Sequence, residues 1–369
     1  MKPCLSILFI LLTWEASFAF AIPTDTTRTF YLGSSVQVGN VVGNRTNANP
    51  IAERVPWMLE LDFSFLKATQ TAYDYCGCYT KSGVSYTYTD FANPTQLGSG
   101  HSLGLFTEPY LLNKKNVQLS LRGGAGLIYL NKIYDEQTNP ENLLFSNHVS
   151  FRVTLGSQLY FNVSPALQLN LNAQFNHISN GGSQYPNYGM NMLTTGLGLD
   201  YRLNNNTPRE RKPLQVEWDR SWKIITHVFA GPHTADSYRG FPERNKLVTG
   251  LNTGLVKPLS RVNALGAGGE VYYDALAQLH ESQTGWNFHS WHASVSAQHY
   301  IFLGRLLLGQ QLAYFVTPLN RDQKTRVYQR YYIEYKFKES WYAGLSLKTH
   351  GTMSDYLGIS LGKVIGLGK

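Results

Sequence analysis

Cysteine is scarce in this chain of 369 residues, which has three. At this length that excludes a small scaffold held together by disulfides. Charge is sparse as well. Asp, Glu, Lys and Arg make up 15% of the residues and aromatics 13%, a balance that excludes a disordered chain. Long apolar runs are missing: past residue 20 no stretch of 18 or more apolar residues occurs, which excludes a helical membrane protein. Acidic residues are the fewer sign, 24 against 32 basic, giving +8. The excess is spread along the chain apart from a short run at Arg209, Arg211 and Lys212. A nucleic-acid binder would need a basic stripe, whereas a diffuse basic surface suits an anionic lipid head group.

What is abundant is Gly (33), Tyr (24) and Phe (18). Mean hydropathy is slightly negative although 43% of residues are hydrophobic. That combination points to strands with one apolar and one polar face.

The N-terminus reads as a secretory signal peptide over residues 1–21. Lys2 supplies the positive end, Leu5 to Thr13 the apolar stretch, and Ala19-Phe20-Ala21 the cleavage site. Cys4 precedes the apolar stretch, so it is not a lipid-anchor cysteine. Removing the segment takes away Lys2 and Glu15, so the charge excess is unchanged. Cys76 and Cys78 flank Gly77. No further metal ligands lie nearby and the spacing is not C-x-x-C, so they read as loop cysteines that could form a disulfide in an oxidising compartment.

Period-2 alternation runs through the rest of the chain, with no long helical stripe. Candidate strands lie near 28–39, 55–66, 81–91, 99–110, 116–130, 146–162, 165–179 and 190–203. The other eight lie near 215–231, 246–258, 261–275, 290–303, 305–317, 326–338, 341–350 and 355–365. In 167–176 the odd positions are Leu167, Leu169, Leu171, Ala173 and Phe175, and the even ones are all Gln or Asn. The pattern recurs. Val149, Phe151, Val153 and Leu155 oppose Ser150, Arg152 and Thr154, and Leu193, Leu197 and Leu199 oppose Thr194 and Asp200. Tyr331, Ile333, Tyr335 and Phe337 oppose Tyr332, Glu334 and Lys336.

Apolar faces backed by charge on long strands, with tight turns such as 162–165 and long loops such as 131–145, predict an all-β fold. Its form is an antiparallel transmembrane β-barrel of 14–16 strands. A polar linker begins at Asn204 and splits the chain into near-equal halves, 22–205 and 206–369, each long enough for eight strands. The pattern does not separate one large barrel from two duplicated eight-stranded halves. A polar, mostly uncrowded inner face favours one.

One place breaks the alternation. His177 and Ser179 are two apart, so they leave the strand on its apolar face, about 6.5 Å apart along the chain. Asn191 lies on the apolar face of the next strand, the hairpin partner. Three polar groups thus gather where lipid-facing residues should be apolar, a violation expected at functional sites. The types suit a nucleophile, a base and an orienter: Ser179, His177 and Asn191. Backbone N–H groups around Asn180 and Gly181, or the Asn180 amide, could stabilise an oxyanion. Substrate would arrive from the membrane plane, which suggests an acyl ester of a lipid. His350, which ends Leu345 to Thr349 much as His177 follows Phe175, falls by parity in the lumen with Lys348. Glu270 and Asp274 are expected to be lumen charges paired with Arg or Lys. No His spacing of the H-E-x-x-H kind occurs.

The run His177-Ile178-Ser179-Asn180-Gly181-Gly182, followed by Pro186-Asn187-Tyr188-Gly189, resembles the lipid A 3-O-deacylases, or acyloxyacyl hydrolases, of Gram-negative outer membranes. The similarity covers roughly residues 117–203. Within it Tyr134-Asp135 and Asn139-Pro140-Glu141-Asn142 resemble a segment of longer family members. The resemblance implies His177 as base, Ser179 as nucleophile and Asn180 at the oxyanion hole. The family's third member is a Glu fourteen residues after the His, and that position here is Asn191. The chain is also about twice the length of single eight-stranded members.

The same stretch is similar to outer-membrane phospholipase A, whose triad is His, Ser and Asn. There the Asn precedes the His, whereas Asn191 follows His177. That phospholipase is a calcium-dependent dimer; no dedicated calcium loop is visible here, and a homodimer stays open. The implied activity is removal of an ester-linked acyl chain from the lipid A of lipopolysaccharide, in the bacterial outer membrane. It needs no metal or organic cofactor. A phospholipase and a non-catalytic porin or structural barrel are the alternatives.

Overall fold

A computed structural model describes residues 28–42, 55–67, 69–204, 218–235, 244–320, 323, 325–351 and 353–367. The expected signal peptide with Cys4, the basic run at Arg209, Arg211 and Lys212, and most of the linker lie outside them. Among these residues sixteen strands form, each over a segment of alternating pattern. The first eight are β1 (Arg28–Val41), β2 (Trp57–Lys67), β3 (Thr80–Asp90), β4 (Ser99–Asn113), β5 (Val117–Leu130), β6 (Val149–Asn162), β7 (Leu167–Ser179) and β8 (Met190–Arg202). The second eight are β9 (Trp222–Ala235), β10 (Arg244–Pro258), β11 (Asn263–Asp274), β12 (Trp291–Leu303), β13 (Leu306–Phe315), β14 (Val327–Lys338), β15 (Trp341–His350) and β16 (Met353–Leu367). Two short helices, α1 (Gln70–Cys76) and α2 (Leu276–Thr284), lie in connections that carry no helical stripe in the sequence. Cys76 and Cys78, at the end of α1, form a disulfide.

The strands close into two antiparallel barrels, β1–β8 and β9–β16. β1 completes the first by pairing with β2 and β8, so that Ser34 sits opposite both Leu61 and Leu199. β9 completes the second through β10 and β16. This settles the choice left open by the sequence and overturns the preference for one barrel. That preference assumed an uncrowded inner face, and the inner faces are crowded.

In the first barrel Lys81 donates to Asp200 and to the Tyr160 hydroxyl, both at 2.7 Å, and Tyr160 donates to Glu108 at 2.6 Å. Arg122 pairs with Glu60 at 3.0 Å, and Arg152 donates to Asn176 at 2.7 Å. Among these side chains a void of about 20 Å³ remains, lined by Glu60, Arg122 and Arg152, room for about one water. In the second barrel Arg330 grips Glu270 at 2.7 and 2.8 Å and lies 3.8 Å over the Phe229 ring. His227 meets Glu334 at 3.0 Å. An eight-stranded barrel leaves room for side chains and little else; these occupy both lumens, and toward the loop end of the second a cavity of about 420 Å³ remains, lined by His233, Asp274, Lys348 and His350.

Glu270 therefore pairs with arginine as expected. Among the described residues Asp274 pairs with His233, at 2.7 Å, rather than with Arg or Lys. His350 does face the second lumen, bonded to Asp355 at 3.0 Å near buried Lys348.

Outward positions are apolar and uncovered, among them Leu155, Leu197, Leu251, Val295 and Ile359. Trp57 and Trp291 begin strands at one rim, and Trp222 and Trp341 at the other, as in the aromatic girdles of outer-membrane barrels. No helix among the described residues is long and apolar enough to span a membrane; the crossing is made by strands.

Short turns gather at one end of each barrel and long loops at the other, with two exceptions. The β2–β3 connection carrying α1 is long at the turn end, and the β15–β16 connection is only 351–352 at the loop end. The barrels touch at both places. Arg261, in the β10–β11 turn, donates to the Asp74 carbonyl of α1 at 2.9 Å. At the other end loop 180–189 of the first barrel rests on the short β15–β16 hairpin. A Cβ on Gly182 would lie 2.8 Å from the Asp355 carbonyl oxygen, and one on Gly181 would lie 2.9 Å from the Leu357 Cβ. Both glycines have positive φ, +83° and +70°, so each is required twice over, by its backbone and by its neighbour.

Candidate active site

The site begins with Ile178. It is fully buried beneath the loops of the first barrel, in a cluster with Met58, Phe91, Ile128, Leu144, Phe145, Met190 and Met192. In a strand, anchoring one residue inward turns its two neighbours outward. His177 and Ser179 are those neighbours. His177 sits directly opposite Asn191 in the β7–β8 ladder. The imidazole Nδ1 and the Asn191 Oδ1 are 2.6 Å apart. A carboxamide oxygen only accepts, so Nδ1 carries the proton and Nε2 keeps its lone pair free to act as a base.

Ser179 is buried although it lies on the lipid-facing side of β7, because loop 180–189 folds over it. Its Oγ accepts from Asn187 Nδ2 at 2.9 Å and from the Gly181 N–H at 3.1 Å. Among the described residues no hydrogen bond joins it to His177; the two side chains line one cavity of about 150 Å³. Asn180 points the other way. Its amide donates to Ser146 Oγ at 2.9 Å and to the Gln184 carbonyl at 2.8 Å, and its Oδ1 accepts from the Gly182 N–H at 2.9 Å. Both amide hydrogens are thus taken up in shaping the loop.

The β5–β6 loop holds this arrangement from outside. Tyr188 and Gly189 N–H donate to the Leu143 and Leu144 carbonyls at 3.1 and 3.2 Å. Asn147 donates to Ser183 at 3.0 Å. Asn139 and Asn142 fix that loop in turn through the Gln96 carbonyl at 2.9 and 3.0 Å. Asp135 closes its tip, and its carboxyl is held below the ordinary range, first by the Thr138 N–H, then by the Thr138 hydroxyl and the Gln137 N–H.

The structure thus brings His177, Ser179 and Asn191 to one outward patch, with Gly181 against the serine. Sequence reasoning gave Asn187 no role, although it lies inside the quoted P-N-x-G run; a polar residue between Pro186 and Gly189 was the available signal. It also missed Ser146, which only the fold brings near. Among the described residues no group of three or more His, Cys, Asp or Glu side chains is arranged to hold a metal ion.

Residues 54–200 match the family described as lipid A 3-O-deacylase (PagL), and residues 221–365 match the family described as acyloxyacyl hydrolase, C-terminal domain. The two matches together take in about four-fifths of the chain. The chain belongs to the lipid A 3-O-deacylase family. With its two lipid-facing barrels, that membership makes it a bacterial outer-membrane β-barrel protein of a hydrolase family.

No curated protein matches the chain. Among solved structures, the outer membrane enzyme PagL is similar at 16% identity, covering 45% of this chain and 97% of that one, with a TM-score of 0.32. Neisserial surface protein A is similar at 10% identity, covering 47% and 97%, with a TM-score of 0.32. The Yersinia pestis attachment invasion locus protein Ail is similar at 14% identity, covering 48% and 97%, with a TM-score of 0.26.

Proposed function

We propose that this deacylase-family chain is a lipid esterase that removes an ester-linked acyl chain from lipid A by a Ser-His-Asn mechanism. The observation that carries the reading is that His177 and Ser179 share one cavity on the lipid-facing side of β7 while Asn191 holds the imidazole by Nδ1. Substrate binding draws Ser179 from Asn187 to His177 Nε2, a bond of the kind that tightens only with substrate in place.

Oγ then attacks the ester carbonyl carbon as Nε2 takes the hydroxyl proton. The carbonyl oxygen becomes an oxyanion, which the Gly181 N–H and Asn187 Nδ2, the donors that hold Ser179 Oγ at rest, turn to stabilise. Asn180 keeps the loop in that shape. The tetrahedral adduct collapses, the sugar oxygen leaves with the proton from Nε2, and the acyl group stays on Ser179. Water repeats the sequence: it gives a proton to Nε2, its oxygen joins the acyl carbon, and Oγ recovers the proton as the fatty acid departs. Ion-paired side chains cross both lumens, which speaks for an enzyme over a porin.

A fluorophosphonate probe tests the nucleophile. The reading expects an adduct on the peptide carrying Ser179, absent in Ser179→Ala and at least tenfold slower in His177→Ala. Labelling elsewhere, or none on the folded protein, would refute it.

A further inference from the structure

The cavity that holds His177 and Ser179 is walled by both barrels. On one side stand Tyr185 and Tyr188, from the first barrel's loop. On the other stand Tyr331, Leu347 and Met353, from β14, β15 and β16 of the second. Tyr331 and Leu347 sit opposite each other in the β14–β15 ladder, so they form one patch on the outer face of that barrel. Elsewhere such positions meet lipid tails. Here the face is turned on the candidate nucleophile, and the two-residue β15–β16 hairpin is what lets loop 180–189 settle over it.

We propose that this outer face of the second barrel is the acyl-chain wall of the Ser179 site, so that one barrel supplies the reacting groups and the other reads the hydrocarbon. The inference rests on the esterase reading above. An acyl chain whose carbonyl lies at Ser179 would run between the tyrosines of the loop and Tyr331, Leu347 and Met353. A volume of about 150 Å³ is the size that takes benzene, so about six carbons of the chain would be held there. Chain discrimination should therefore respond to residues more than 150 positions away from the serine in sequence.

The test uses the full-length chain folded in detergent and p-nitrophenyl esters of butyrate and dodecanoate. Leu347→Trp narrows the groove and should lower the dodecanoate-to-butyrate ratio of kcat/KM by about tenfold or more. Tyr331→Ala removes part of the wall that grips the long chain and should lower the same ratio by about threefold or more. Val295→Trp, on a lipid-facing position of β12 outside the groove, should leave the ratio at the wild-type value. A ratio unmoved by both groove variants in a wild type that cleaves both esters overturns this inference and leaves the esterase reading standing. A folded wild type that cleaves neither ester overturns both. Should Leu347→Trp not fold, Tyr331→Ala decides alone.

Discussion

Replacing Asn191 with alanine removes the side chain that holds the imidazole of His177 by Nδ1. In the resting protein the contact is a 2.6 Å hydrogen bond on the outer face of the hairpin. In the transition state His177 carries a full positive charge, and a hydrogen bond to a charged group contributes about 1.5–3 kcal/mol. Losing it should slow turnover by about 10- to 150-fold, at 1.36 kcal/mol per tenfold. The loss should fall on kcat more than on KM, because the interaction strengthens only as charge develops. Asn191→Asp is the counterpart. It is isosteric and places an anion on the same contact, and charge-assisted bonds are roughly twice as strong as neutral ones. A gain of about 1 kcal/mol, roughly fivefold in kcat, is expected. Initial rates of fatty-acid release from lipopolysaccharide in mixed micelles, with folding checked by heat-modifiable electrophoretic mobility, would measure both. An alanine variant within twofold of wild type would refute the orienting role of Asn191.

Lys81 is fully buried between Asp200 and Tyr160, so Lys81→Met strands a buried carboxylate and should cost about 3–5 kcal/mol; urea unfolding in micelles should show it, with partial recovery in the double variant carrying Asp200→Asn. Gly182→Ala forces a side chain into a backbone at +83° and against the Asp355 carbonyl. It should cost about 1–2 kcal/mol of strain, seen as faster proteolysis of loop 180–189 and slower ester cleavage. Asp135 is lowered from its ordinary value by the Thr138 N–H and hydroxyl, so its contribution to the β5–β6 loop is present above the ordinary carboxylate range and lost as pH falls through its lowered folded value. Exchange of the Thr138 amide, measured down a pH series against an Asp135→Asn reference, should accelerate there in the native chain alone.

The strands were legible because lipid outside and a polar lumen inside impose period 2: β7 reads Leu167, Leu169, Leu171 outward and Gln168, Asn170, Asn172 inward. β9 is the poorest fit, expected from 215 and beginning at Trp222. Closure into two barrels was not legible, since alternation is identical in a small barrel and a large one. The decisive matter was bulk, as Tyr160, Tyr300, Tyr332 and Arg330 fill lumens that the pattern treated only as polar. Parity alone put His177, Ser179 and Asn191 together, because three polar groups on an apolar face need a reason. Parity says nothing about loops, so the grip of Asn187 on Ser179 and of Ser146 on Asn180 went unseen. Nor could it bring Leu347 and Met353 beside Ser179, since that contact depends on how two separately closed barrels meet. His177 and His350 both fall at the end of a seventh strand, β7 and β15. One faces out and the other into a lumen, so duplication of the halves stands as a proposal for superposition of the two barrels to decide.

Mass spectrometry of fatty acids released from lipopolysaccharide and from phospholipid, by the folded protein and by Ser179→Ala, decides whether Ser179 is the nucleophile of a lipid A esterase. A Ser179 esterase acting on lipid A releases a hydroxy-fatty acid from lipopolysaccharide as the native chain and none as the variant. Release from phospholipid alone, release that survives Ser179→Ala, or no release by the folded native protein would contradict it.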